Sequence, residues 1–266
     1  MTAVSVDARG LDAGRVVQST FRVLTRDWPA FLVLGAVCSL LPRLLARWIV
    51  FQPAVIGLGQ GSLLGRAVLS GGLTVAVEAL PAALLVGVIA VRATSELSRQ
   101  RRTLAACLAG AARRAPVLAA ASLLLNLGVT LGLMLLIAPG ALLLLAWCVA
   151  LPAAAVERGA VLTAVRRSAD LTRGQRKTIL LLLLGAGFVA GILAIIFGLG
   201  FSLAVTPIRT WAPQAIVPGD AGVVIGGAVS GTLSAILLAA GAAALYHELR
   251  QLKEAGGADA LAAVFD

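Results

Sequence analysis

The sequence predicts an all-α membrane protein, a polytopic bundle of six transmembrane helices with basic interfacial helices. Hydrophobic residues make up 60% of the 266 residues and charged residues only 13%, whereas a soluble domain carries about 25% charged residues. Mean hydropathy is +0.99. Most of the charged residues lie between six apolar stretches, several of them near the roughly 20 residues that a membrane-spanning helix needs.

The apolar stretches divide the chain into three parts: a basic amphipathic segment at residues 1–27, a membrane domain at 28–246 and a tail at 247–266. The six predicted spans cover residues 28–50, 70–91, 115–138, 141–156, 178–205 and 221–246. The fourth span is short but strongly apolar. Because Pro139-Gly140 is a turn signal, we expect the third and fourth spans to form a tight hairpin.

The basic residues predict the orientation of the chain. If both termini are cytoplasmic, 18 of the 22 Lys and Arg residues lie on the cytoplasmic side, and the other four are Arg43, Arg47, Arg66 and Arg209. This asymmetry follows the positive-inside rule and requires an even number of spans. Since the net charge of +10 arises in loops beside anionic lipid heads, we expect no nucleic-acid binding.

A basic segment precedes each odd-numbered span. Apolar residues recur at helical spacing before the first and fifth spans, and residues 103–114 before the third span are rich in Ala and Leu. This pattern is typical of helices that lie at the membrane surface. The chain is therefore interpreted as three units, each an interfacial helix followed by a helical hairpin. Arg26-Asp27-Trp28-Pro29 resembles Arg113-Arg114-Ala115-Pro116, with proline in the first turn of each following helix.

Glu78 is the acidic residue placed within a predicted span. A charge at the bilayer centre costs about 3 kcal/mol or more, so an intramembrane carboxylate is a candidate functional group. Glu78 lies about 21 Å along its helix from Arg92, and Arg43 about 22 Å from Trp28, at 1.5 Å per residue. The two side chains are therefore expected at the same depth on neighbouring spans.

Two interpretations of Glu78 stay open. In the structural one, Arg43 or Arg47 neutralises the carboxylate and locks the first hairpin. In the functional one, Glu78 and Asn126 line a polar cavity that binds a proton or a cationic substrate. Pro81, one turn after Glu78, is expected to kink the second span in either case.

Small residues indicate where helices pack closely. Gly187 and Gly191 form one small-xxx-small pair in the fifth span, and Gly227 and Gly231 form another in the sixth. Such faces let helix backbones approach where lipid supplies no hydrophobic drive. We expect both pairs to be helix-packing sites.

The sequence offers little for catalysis or metal binding. Cys38, Cys107 and Cys148 are scattered, without the close spacing of a metal site. His247 is the single histidine and has no apparent base or nucleophile partner in the sequence. We therefore expect no catalytic residues, no metal and no cofactor.

The region from Pro139 to Lys177 resembles the membrane domain of bacterial glycerophosphoryl diester phosphodiesterases. The residues that carry the resemblance are Pro139-Gly140, Trp147, Pro152, Glu157, Gly159, Ala164, Ser168, Leu171-Thr172-Arg173-Gly174, and the ending Leu245 to Arg250 with Lys253-Glu254. The resemblance implies a six-helix unit of the bacterial cytoplasmic (inner) membrane. The chemistry of that family belongs to a separate soluble domain, so we expect no hydrolase activity in this chain.

Two interpretations of that central block also stay open. It is either a structural elbow that holds an interfacial helix against the bundle, or a site for a phospholipid headgroup. The residues in question are Glu157, Arg158, Arg166, Arg167, Ser168, Arg173 and Gly174. Gly174 is expected to end the helix before the fifth span.

The expected function is that of a non-catalytic membrane scaffold or accessory unit, associated with membrane phospholipids or with another membrane protein as its partner. The alternative is a transporter of a small solute or lipid with a polar site near Glu78. Transport requires discontinuous helices and polar groups that converge at the midplane. The sequence offers only Pro81 toward that requirement.

Overall fold

The computed structural model describes residues 11–50, 63–97, 103–157, 159–211 and 221–265, and these ranges contain helices and short turns but no strand. We number ten helices in chain order: α1 Ala13–Arg26, α2 Trp28–Val50, α3 Leu63–Leu97, α4 Leu104–Arg113, α5 Ala115–Leu135, α6 Ile137–Trp147, α7 Ala150–Val156, α8 Val161–Thr172, α9 Arg176–Trp211 and α10 Ala221–Phe265. The predicted all-α bundle is confirmed.

Six segments of the described chain are long and apolar enough to cross a membrane: Trp28–Val50, Gly71–Leu97, Ala115–Leu135, Ala138–Val156, Arg176–Ala204 and Gly222–Glu254. They correspond one to one with the six predicted spans. Their ends differ, because α3 continues to Leu97 and α10 runs without a break through the predicted tail to Phe265. The fourth span consists of α6 and α7, separated by a turn at Cys148 and Val149.

The short helices α1, α4 and α8 precede α2, α5 and α9, as the three-unit interpretation predicts. A side-chain N-cap precedes two of these short helices, α1 and α4. Asp12 accepts a hydrogen bond from the Gly14 amide at 2.8 Å before α1, and Thr103 accepts one from the Ala106 amide at 3.3 Å before α4. These caps satisfy amides that the first helical turn leaves without a partner.

The junctions between short helix and span repeat in all three units. The carbonyls of Asp27, Arg114 and Gln175 accept the amides four residues later at 3.0, 2.9 and 3.1 Å. Those later residues are Phe31, Leu118 and Ile179, and each is at most 1% exposed. The units therefore share a geometry in which one large apolar residue, one turn into each span, enters the core.

The core lies between α3 and α10 and at one end of the bundle. Buried alanines on both helices, such as Ala90, Ala93, Ala240 and Ala243, allow their backbones to approach. In contrast, only 6% of the apolar stretch of α9 is buried. The core-rich end carries the short helices, and we call it the basic end: the starts of α2, α5 and α9 with the parts of α3, α7 and α10 that meet them.

The α5–α6 hairpin differs from its prediction. The chain reverses at Leu136, the one extended residue between α5 and α6, whereas Pro139 and Gly140 lie inside the first turns of α6. Proline is tolerated in a first turn, so the turn signal was misplaced by a few residues. Glycine has a different use here, because a Cβ on Gly140 would lie 2.5 Å from the backbone nitrogen of Leu133.

Candidate functional site

The candidate polar site within the spans is an ion pair between α2 and α3. The Nε of Arg43 lies 3.7 Å from Oε2 of Glu78, and the two side chains are 30% and 25% exposed. Among the described residues, this carboxylate therefore pairs with Arg43 and not with Arg47. An ion pair in an apolar environment lowers the cost of both charges, so each residue stabilises the position of the other.

Arg43 also connects the pair to α10. Its Nε donates to the hydroxyl of Ser39 at 3.1 Å, and the Thr232 hydroxyl lies 3.3 Å from the same oxygen. Ser39 and Thr232 are both buried. The guanidinium packs over Gly231, where an added Cβ would overlap it. The result is a polar cluster of five residues from three helices, which we call the intramembrane clamp: Ser39, Arg43, Glu78, Gly231 and Thr232.

A local irregularity in α2 accompanies the clamp. Residues Ala36–Leu40 form a π-helical turn, which places one extra residue in the helix immediately before Arg43. Such turns are frequent at functional sites. Gly35, just before that turn, lies so close to α10 that a Cβ would be 2.6 Å from the Ile236 side chain. Nothing in the sequence pattern indicated this contact.

Asn126 does not join the clamp. Its side-chain amide donates to the Ser122 carbonyl at 2.8 Å, one turn back on α5, and lies 3.4 Å from the Ser122 hydroxyl. The predicted polar cavity of Glu78 with Asn126 therefore has no counterpart in the hydrogen bonds of the described residues. A polar residue within a span commonly satisfies its amide on its own helix, and depth alone does not show which way it faces.

A second polar cluster, at the basic end, is built around Glu157. One carboxylate oxygen of Glu157 accepts hydrogen bonds from Arg167 Nε at 3.2 Å and from the Tyr246 hydroxyl at 2.8 Å. The Arg114 guanidinium donates to the backbone carbonyls of Glu157 and Gly159. We call these four side chains, Arg114, Glu157, Arg167 and Tyr246, the basic-end clamp, and they join α5, α7, α8 and α10.

Other predicted members of the central block occupy the surroundings of this clamp. Ser168 is fully buried and donates to the Ala146 carbonyl at 2.7 Å, which fixes α8 against α6. Gly174 has a φ of +90°, the left-handed conformation that glycine adopts without strain. Arg173 lies 3.5 Å from Asp170 in an exposed pair, and Arg158 lies outside the described residues. This geometry corresponds to the structural elbow.

A third pair of contacts at this end was not anticipated. Arg92 donates to Asp27 at 2.7 Å and Arg26 contacts Glu96 at 2.5 Å, so the end of α3 is tied to the α1–α2 junction. The spacing of Arg92 and Glu96 places them one turn apart on the same helix face. That spacing, together with the Arg26-Asp27 dipeptide, was the available signal.

Several cations of the basic end keep no carboxylate partner in the described part of the chain. All are exposed, and they are Arg22, Arg113, Arg166, Arg176 and Lys177. They are spread over α1, α4, α8 and α9. The basic end is therefore held together by its paired, mostly half-buried arginines and presents a surplus of positive charge outward.

The predicted glycine contacts need correction. A Cβ on Gly187, Gly191 or Gly227 would meet nothing within 4 Å, whereas Gly231 contacts Arg43 and not a helix backbone. The close crossing of α9 and α10 instead uses Gly222 and Gly226, where a Cβ would overlap the backbone carbonyls of Phe201 and Phe197. The predicted spacing of four residues is found in α10, but the glycines that meet α9 lie one position earlier along that spacing than the predicted pair. The sequence does not show which face of α10 meets α9.

No group of three or more His, Cys, Asp or Glu side chains with the geometry of a metal site occurs among the described residues. His247 lies 3.0 Å from the Gln251 amide nitrogen on an exposed part of α10. Glu78 and Glu157 each form an ion pair with an arginine side chain from another helix, so the interaction at both sites is electrostatic.

The spans, the apolar exterior and the two clamps define an α-helical, multi-pass integral membrane protein. Comparison with protein-family models, with curated proteins and with solved structures finds no match. The resemblance to phosphodiesterase membrane domains therefore stays a prediction.

Proposed function

We propose that this chain is a membrane scaffold without catalysis of its own, which gathers anionic phospholipid at its basic end. The observation that carries the proposal is the set of exposed cations without a carboxylate partner among the described residues: Arg22, Arg113, Arg166, Arg176 and Lys177. Basic residues near a membrane surface each contribute about 1 kcal/mol of attraction to anionic lipid. Five on one end supply a strong preference for such lipids.

Some arginines of the basic end bind other parts of the protein and others are unpaired in the described chain, and this difference supports a scaffold. Arg92, Arg114 and Arg167 each bind groups of another helix or loop and hold the bundle together. In the described part of the chain, Arg22, Arg113, Arg166 and Arg176 make no such bond, so they are available to headgroup phosphates. Glu78 and Glu157 are both engaged with arginine, and this engagement supports a role in holding helices rather than in acid–base catalysis.

The basic end is proposed to face the cytoplasm. The support is the positive-inside rule applied to 18 of the 22 basic residues. Assignment to the bacterial inner membrane rests on the family resemblance. Reporter fusions at both termini and at an insertion within residues 51–62 test the orientation: cytoplasmic readings at the termini with an external reading at the insertion are expected.

Native mass spectrometry from mixed-lipid nanodiscs tests lipid binding. The full chain is compared in equal mixtures of phosphatidylglycerol and phosphatidylethanolamine with a variant carrying Arg113→Gln, Arg166→Gln and Arg176→Gln. We expect the ratio of retained anionic to zwitterionic lipid to fall at least about tenfold, since about 1 kcal/mol is lost per residue.

Arg47→Gln is the matched control, because Arg47 is an exposed arginine of α2 far from the basic end. It removes one charge of the same kind and is expected to leave the lipid ratio close to that of the unmodified protein. An unchanged ratio in the triple variant, or an equal fall in the control, contradicts the proposal.

A second function, transport of protons or a cationic solute near Glu78, is favoured by one observation. The side chains of Arg43 and Glu78 in the intramembrane clamp are 30% and 25% exposed, and the pair lies beside a π-helical turn. Proteoliposomes with an internal pH-sensitive dye under an imposed pH gradient test it. Proton uptake by the unmodified protein above that of empty liposomes would establish proton transport, and its loss in a Glu78→Gln variant that remains folded would assign the transport to this carboxylate. Uptake equal to that of empty liposomes would exclude proton transport.

A further inference from the structure

An apolar cavity of about 370 Å³ lies between α1, α9 and α10 at the basic end. Small-molecule sites have volumes of about 300–1,000 Å³. One side is formed by the inner face of α1, and the other sides by the first turns of α9 and the final apolar turns of α10. Representative residues of its wall are Val17, Phe21, Leu181, Gly185, Val189 and Gly241.

The described wall offers no free hydrogen-bonding group. The Thr20 hydroxyl donates to the Val16 carbonyl at 2.7 Å, and the Cys148 thiol donates to the Leu145 carbonyl at 3.3 Å. The other wall residues are apolar or glycine. A polar occupant would lose its hydrogen bonds to water without replacement, so the wall selects hydrocarbon.

Helix geometry places a cation one turn beyond the cavity wall. Leu181, Gly185 and Val189 follow one another at intervals of four residues and form one row on α9. Lys177 is the preceding member of that row, one turn toward the basic end. Its ammonium is exposed and has no ion-pair partner among the described residues. From Lys177 to Val189 the row extends about 18 Å along the helix.

A contact between the residues just before α1 and α9 ties the starts of these two helices together. The Leu11 amide donates to the side-chain carbonyl of Gln175 at 3.2 Å, two residues before Lys177. α1 therefore lies over the cavity as one wall, with its start anchored beside the cation. A Cβ on Gly185 would meet nothing within 4 Å, so the space beside this wall residue is open.

We propose that this cavity holds one acyl chain of an anionic phospholipid whose phosphate is bound by Lys177. The apolar wall accounts for the chain and the cation at its end accounts for the headgroup. The inference rests on the proposed function and adds to it one defined, stoichiometric lipid site, distinct from the diffuse attraction of the exposed arginines.

Gly185→Phe tests the site, because its ring would occupy part of the cavity that the acyl chain needs. Gly187→Phe is the matched control, since Gly187 is on the same helix, is equally open to substitution and is not in the wall. Native mass spectrometry of the full chain from phosphatidylglycerol–phosphatidylethanolamine nanodiscs should show one strongly retained lipid. Its retention should fall about tenfold or more in Gly185→Phe, the factor that losing two buried methylenes costs, and stay unchanged in Gly187→Phe.

Lys177→Gln separates headgroup from chain. It should leave a lipid retained while lowering its preference for phosphatidylglycerol over phosphatidylethanolamine about fivefold, the effect of one interfacial cation. Retention of a free fatty acid in place of a phospholipid, or equal retention in Gly185→Phe and Gly187→Phe, overturns the proposal.

Photo-crosslinking keeps the inference testable if Gly185→Phe does not fold. Phosphatidylglycerol with a diazirine on one acyl chain, in nanodiscs with the unmodified protein, should label residues 181–189 and 237–245. Labelling spread evenly along α9 contradicts the site. The broader lipid function fails independently: it does so if the Arg113, Arg166 and Arg176 variant keeps its anionic preference, whatever Gly185→Phe shows.

Discussion

Both clamps pair one carboxylate with arginine across separate helices, and they differ in their surroundings. In the intramembrane clamp, Glu78 lies 3.7 Å from a single guanidinium, which is itself fixed by Ser39 and packed over Gly231. In the basic-end clamp, the Glu157 carboxylate accepts two shorter hydrogen bonds, from Arg167 and Tyr246. The Glu157 backbone carbonyl accepts a further hydrogen bond from Arg114. Further cations lie exposed around it.

The difference shows how the same chemistry serves two purposes. Within the spans, an arginine without its carboxylate would be an isolated charge in hydrocarbon, so the pair is mutually dependent. At the basic end, water and headgroups solvate whatever the protein leaves unpaired, so arginines can be present in excess. We expect the first clamp to matter mainly for stability and the second to combine stability with lipid binding.

Removing one partner of the intramembrane clamp should have the largest effect. Glu78→Gln leaves the Arg43 charge without a counterion and should lower the free energy of unfolding by about 3 kcal/mol. Adding Arg43→Gln should restore most of the loss. Equilibrium unfolding in mixed micelles with increasing SDS measures both, and equal damage in the single and double variants would argue against mutual dependence.

Gly231→Ala should have the next largest effect. The new methyl group would overlap the Arg43 guanidinium and displace it from Glu78, at a cost of about 2 kcal/mol, within the usual range for overpacking. Gly227→Ala is the control, one turn away on the same helix with nothing within 4 Å of the added carbon. A loss of the same size in both would show that α10 tolerates no added volume and that the clamp is not the cause.

Tyr246→Phe tests the basic-end clamp with a smaller expected loss. It removes one hydrogen bond to the Glu157 carboxylate, while the partner keeps Arg167. Because Glu157 remains partly exposed, we expect a loss of about 1.5 kcal/mol, the lower end for hydrogen bonds to charged groups. The same SDS titration measures it. A loss larger than that of Glu78→Gln would reverse the comparison between the clamps.

Arg250→Gln sets the baseline for an exposed pair. The Nε of Arg250 lies 2.6 Å from Oε1 of Glu254, one turn further along α10, and the two side chains are 42% and 53% exposed. Such pairs contribute at most about 0.5 kcal/mol, and less at high salt. The unfolding midpoints of this variant, measured at low and at high salt, should therefore barely differ from those of the unmodified protein. A loss of unfolding free energy above about 1 kcal/mol would mean that the exposure of an ion pair does not predict its contribution to stability here.

Much of the architecture was predictable from composition and spacing. Apolar stretches near 20 residues gave the six spans, since backbone groups in hydrocarbon must bond within a helix. The Arg26-Asp27-Trp28-Pro29 and Arg113-Arg114-Ala115-Pro116 segments indicated the repeated junctions that the structure shows at Asp27 and Arg114. Equal depth along neighbouring helices placed Glu78 and Arg43 together, and the structure brings them into contact.

Other features depend on helix rotation, which spacing along one chain does not reveal. Asn126 is a polar residue within a span, as the clamp residues are, but its side chain donates to a carbonyl of its own helix. Gly187 and Gly191 have the spacing of a helix-packing motif but lie on an open face of α9. Tyr246 and Arg114 were not predicted as partners of Glu157, because their contacts join helices far apart in sequence. Such contacts exist only after the bundle has set the rotation of each helix.

Apolar stretches and the positions of charged residues are sufficient to show that the protein lies in a membrane, that it has six spans and that positive charge clusters at one end. These features follow from the cost of moving polar groups and charges into hydrocarbon. Only the packed bundle shows which glycines meet a neighbour, which arginines are used in clamps and where an apolar cavity remains between α1, α9 and α10. Those outcomes require the relative rotation and distance of three or more helices, which residue spacing along a single helix does not specify.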